Sequence, residues 1–99
     1  KSMIKFKEYF KKMCEENTAV FDEFQFIHDL YKQTRKANQV VFNEQGVAVR
    51  RIIEDWDRKL CSQMEKGKNS TYSARLSEKF WGEARLRFPM IDFVGATIK

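Results

Sequence analysis

VRRIIEDWDRKLCSQM, residues 49–64, is the stretch whose pattern settles the fold class. At 100° per residue Val49, Ile52, Ile53, Trp56, Leu60 and Met64 share an arc about 120° wide, which is the stripe of a helix lying on a core. Charge fills the other side. Arg50, Glu54 and Arg58 recur at four-residue spacing, as do Arg51, Asp55 and Lys59, so that face neutralises itself with pairs worth roughly 0.2–0.5 kcal/mol each. A helix with its charges cancelled and its apolar arc committed to a core reads as scaffold.

Upstream, one helical phase joins Val20, Phe24, Ile27 and Tyr31 to Thr34, Asn38, Val41 and Phe42. With no Pro or Gly before Gly46, this phase predicts a single long helix capped there; the alternative is a break near Asn38, where Val40-Val41-Phe42 has strand-like character. Asn17-Thr18 reads as its N-terminal cap, with Asp22-Glu23 at the positive dipole end. Phe21 and Leu30 flank the stripe. Phe26 lies more than about 120° from its centre, so helix 1, the C-terminal tail or a partner must cover it, or it stays in water.

Residues 3–15 form a shorter arm, with Met3, Phe6, Tyr9, Phe10, Met13 and Cys14 on one face, four lysines on the other, and Ile4 out of phase. Downstream of residue 64, Gly67 suits a C-terminal cap, and Leu76, Phe80, Ala84 and Phe88 recur every four residues. Pro89 ends that helix, because it disfavours helical geometry at Phe88 and has no N–H to donate. Met90-Ile91-Asp92-Phe93-Val94 then forms an extended apolar run that either crosses the bundle, over Phe26, or docks on something outside it.

The expected fold is therefore all-α: an antiparallel bundle of four amphipathic helices, about 3–15, 18–45, 48–66 and 72–88, with a short extended C-terminal tail. Its core should hold Phe24, Ile27, Tyr31, Ile52, Trp56, Leu60, Leu76, Phe80 and Phe88. At 99 residues the chain reads as one helical domain, residues 1–99, and its Lys1-Ser2 start as that of a piece of a larger protein. Four Gly and one Pro are too few punctuators for a sandwich of short strands, whereas nine Phe, three Tyr and two Trp supply ample buriable surface.

The same composition narrows the function. The single histidine, His28, sits at the edge of an apolar stripe and reads as a packed, singly bonded side chain, not a catalyst. Cys14 and Cys61 have no ligand spacing and read as reduced thiols, with a disulfide between helices as the alternative. Glu54, Asp55 and Asp57 are explained by pairing with neighbouring arginines. The chain presents no catalytic, metal-binding or cofactor-binding set, and no small-molecule substrate is evident. No apolar run reaches the ~18–20 residues of a membrane span.

Two kinds of partner remain. Surplus apolar surface at Phe21, Phe26, Leu86, Met90, Ile91, Phe93 and Val94, with Ile4, points to a non-catalytic adaptor or scaffold that binds a protein partner or a second copy of itself, in the cytoplasm or nucleus. The alternative is nucleic acid or another polyanion, held by Lys66, Lys68, Arg75, Lys79, Arg85 and Arg87. Against it, the net charge of +5 is spread as +2, −1, +2 and +2 over residues 1–16, 17–46, 47–68 and 69–99.

Overall fold

The computed structural model describes residues 5–65 and 70–95. Four helices, α1 (Lys5–Glu16), α2 (Thr18–Gln33), α3 (Arg35–Glu65) and α4 (Ser70–Arg87), are followed by a 3₁₀ turn at Ile91–Phe93. This is the all-α four-helix bundle expected, and no strand occurs among the described residues. Met3, Ile4 and Gly67, which carried sequence expectations, lie outside them.

The division between the second and third helices differs from expectation. The break falls at Thr34 and not at Gly46, with Thr34 leaving helical geometry at φ −139°, ψ 86°. Asn38 explains why the chain can stop there. Its side-chain amide donates to the carbonyls of Thr34 (2.8 Å) and Leu30 (3.3 Å), and the Thr34 N–H also bonds Leu30 O. Carbonyls left open at the end of α2 are thereby satisfied. Asn38, the expected alternative break, is thus the residue that closes a break four positions earlier.

The corner between α1 and α2 uses the same chemistry, and corrects a second expectation. Asn17 makes no side-chain cap to the N-terminus of α2. Its amide donates backward to Met13 O at 2.9 Å, and the Thr18 hydroxyl lies within reach of the Cys14 and Glu15 carbonyls. No acid stands in the first turn of α2. These side chains finish the preceding helix and do not start the next.

Because no break occurs at Gly46, α3 is a 31-residue spine. At ~1.5 Å per residue it is about 46 Å long, which matches the 46 Å long dimension of the molecule. All three other helices pack on it. Along α3, Phe42, Val49, Ile53 and Leu60 are fully buried, whereas Ile52 and Trp56 are only partly buried, which corrects two members of the expected core. Extending the helix back through Phe42 moves the buried centre, and Ile52 and Trp56 fall on its flank. There Trp56 meets Tyr9 of α1 edge to face, with centroids 6.1 Å apart. Phe24, Ile27, Tyr31, Leu60, Leu76, Phe80 and Phe88 are buried as expected.

After Pro89 the chain is not extended. It tightens into the 3₁₀ turn, with Ile91 fully buried, and lies back along α3. Gly46 makes this possible: a Cβ at that position would stand 2.5 and 2.8 Å from the two γ-methyls of Val94. The glycine is a notch in the spine and not a helix cap.

Candidate interaction surface

The apolar residues expected to face a partner divide sharply. Phe21 and Ile91 are fully buried, Phe21 against Phe88 at 5.9 Å between centroids, so neither is available to a partner. Met90 and Val94 are partly buried against the core. Phe93 is 37% exposed, and Arg35 lies over its ring at 4.4 Å. The two most exposed of the expected set are Phe26 at 66% and Leu86 at 77%. Among the described residues, neither α1 nor the tail covers Phe26.

Helical register explains this outcome. Phe21, Phe24, Ile27, His28 and Tyr31 form the buried stripe of α2, and Phe26 points the other way, one turn before Leu30, which is also exposed. Sequence reasoning missed a second exposed pair, Val40 and Val47, two turns apart on α3. Placing a helix boundary at Gly46 hid the common face of these two valines. Val47 shares a shallow depression of about 280 Å³ with Arg50, Arg51, Glu54, Val94 and Gly95.

The basic candidates divide too. Arg85 makes a two-armed ion pair with Asp92, Nε to Oδ2 at 2.8 Å and Nη2 to Oδ1 at 3.3 Å, which holds the Asp92 carboxyl below its ordinary range. Arg87 donates to Gln25 and to Asp22 on α2, both at 3.2 Å, and covers the rings of Phe88 and Phe21. Both arginines therefore pin elements of their own chain together. Arg75 and Lys79 are exposed on α4, and Lys79 lies over the Phe6 ring at 5.9 Å. Lys66 and Lys68 lie outside the described residues. Trp81 is flanked by Arg50 at 5.4 Å and Arg85 at 6.0 Å.

Asp57, expected to pair with a neighbouring arginine, has another partner among the described residues. It accepts from the Ser77 hydroxyl at 2.8 Å across the α3–α4 contact, whereas Asp55 pairs with Arg58. Cys14 and Cys61 are not joined in a disulfide: the Cys61 thiol donates to Asp57 Oδ1 at 3.7 Å, and burial raises the Cys14 thiol above its ordinary range against the lowering effect of Arg87. No cluster of His, Cys, Asp and Glu suited to a metal ion occurs among the described residues, nor does a helix long and apolar enough to cross a membrane.

The tail is held by a polar chain that runs from the buried Tyr31 out to the exposed Gly95. Tyr31 donates to Gln39 Oε1 at 2.8 Å; the Gln39 amide donates to Asn43 Oδ1 at 2.8 Å and to Phe93 O at 3.4 Å; Gly95 N–H donates to Asn43 Oδ1 at 2.7 Å. His28, 1% exposed, completes the set. Its Nε2 accepts the Met90 N–H at 3.1 Å, which places the ring proton on Nδ1, 3.3 Å from Asp29 Oδ1. The expected singly bonded histidine therefore has two partners. Comparison of the chain with protein-family models, with curated proteins and with solved structures finds no match.

Proposed function

We propose that this chain is a non-catalytic protein-interaction module, an adaptor or scaffold domain of the cytoplasm or nucleus. It engages a protein partner, or a second copy of itself, through the outer face of α2. The observation that carries the reading is Phe26, a large aromatic ring 66% exposed on a helix whose opposite face already fills the core. Leu30, one turn on, extends the patch, and two such residues at i,i+4 are the anchors used when a helix face lies in a partner's groove. Cys14 and Cys61, not joined in a disulfide, accord with a reducing compartment.

The polyanion reading is weaker, because Arg85 and Arg87 spend their guanidiniums on Asp92 and Asp22. The discriminating experiment combines sedimentation with capture of partners, using wild type and a Phe26→Ser, Leu30→Ser variant. The variant should keep its helical signal and lose self-association or partner capture by at least about tenfold, the effect of removing ~1.4 kcal/mol or more at an anchor. Unchanged association would defeat the reading. Binding to RNA or DNA that falls steeply with salt and is insensitive to the double change would favour the polyanion alternative.

A further inference from the structure

His28 places a titratable ring inside the core, where a lone pair of Nε2 holds the C-terminal turn. The ring is walled by Phe24, Phe42 and Phe88, with centroids 6.2, 6.2 and 5.7 Å away. These aromatics come from α2, α3 and the residue after α4, and none is charged. The charged groups acting on the ring are Asp29, 3.3 Å from Nδ1, and Lys32, both on α2 itself. From the tail the ring meets the Met90 amide.

We propose that His28 is an acid-operated latch: protonation of Nε2 removes the acceptor for the Met90 N–H and releases residues 89–95 from α3. A protonated imidazole has two donors and no acceptor, so Nε2–H would face the Met90 N–H directly, and neither donor could find a partner inside an aromatic box. Undocking resolves both problems by letting water reach the ring and the amide. The rest of the tail's hold cannot respond in the same range. Gln39 and Asn43 supply neutral amides, and the Arg85–Asp92 pair stays ionised until the pH falls below the depressed range of Asp92. Releasing the turn uncovers Ile91, which is fully buried, and the Gly46 notch that Val94 fills.

The direction of the pH effect follows from burial. Desolvation lowers the affinity of His28 for a proton in the latched state, and the Asp29 carboxylate only partly offsets this. The latched state thus binds fewer protons than the released one. Its stability is fully present above the ordinary imidazole range near ~6.5 and is lost as the pH falls through the depressed value. A single proton permits at most about a tenfold change per pH unit, and so roughly 30-fold between about pH 6.5 and about pH 5.

The test is amide hydrogen exchange, followed by NMR and corrected for intrinsic rates, at about pH 7.5 and about pH 5. Protection of the Met90, Val94 and Gly95 amides should fall at least about fivefold at the lower pH, with amides at Ile53 and Leu60 in the middle of α3 unchanged. In His28→Gln, whose carboxamide oxygen accepts the Met90 N–H at either pH, that difference should vanish. Equal protection at both pH values in wild type, or an equal fall in His28→Gln, overturns the latch. Should His28→Gln not fold, the ring ¹⁵N titration of wild-type His28 decides, since its midpoint must coincide with that of tail release. Titration without release, release without titration, or simultaneous loss of protection at Ile53 and Leu60 also overturns it.

Discussion

On either side of Gly46, α3 meets the rest of the protein by different means. Toward its N-terminus the contacts are aromatic and polar together: Phe42 stacks on Tyr31 at 3.9 Å and 2° and on Phe24 at 5.4 Å, while Gln39, itself buried, links Tyr31 to Asn43 and the tail. Toward its C-terminus the buried residues are the aliphatic Val49, Ile53 and Leu60, with Trp56 on the flank and a polar contact in which Ser77 donates to Asp57. Apolar contacts set how much is buried but tolerate sliding; buried hydrogen bonds fix which atoms meet. The end of the spine that receives the tail is the end built with fixed partners.

The largest test of this contrast is Phe42→Ala. It removes a fully buried ring shared by α2 and α3 and should cost roughly 3–5 kcal/mol in denaturant unfolding. Gly46→Val should come next, at about 1–3 kcal/mol, because the added methyls overlap Val94. Its signature should be local: the tail amides should lose protection while the contact between α1 and α4 persists. Trp56→Ala should be the smallest, at about 1–2 kcal/mol, below the 3–5 kcal/mol of a fully buried aromatic, since Trp56 keeps part of its surface in water. A cost for Trp56 equal to that for Phe42 would erase the distinction between the two ends.

How far the sequence disclosed this arrangement can be judged from single residues. The periodicity of Leu76, Phe80, Ala84 and Phe88, or of Phe24, Ile27 and Tyr31, is local and survives intact. Gly46 could not be read locally. Glycine serves equally as a cap or as a notch, and what selects the notch is Val94, 48 positions away. Asn38 posed the same problem, since its amide serves a carbonyl in the preceding turn whether or not the helix stops there. Among the site residues, the pattern showed correctly that Phe26 opposes the stripe of α2. It gave no means of telling Leu86, exposed, from Ile91, buried, because the fate of the tail depends on His28, Gln39 and Asn43 across the fold.

Both helix corners, at residues 17 and 34, are finished by an asparagine amide that donates backward to a carbonyl four residues earlier. Hydrolytic loss of ammonia from either side chain would convert that donor into a carboxylate, which can only accept. The new negative charge would then sit against the carbonyl oxygens that the amide had served and be repelled by them. Such a change at residue 17 or 38 is therefore expected to loosen a joint and not to erode the core.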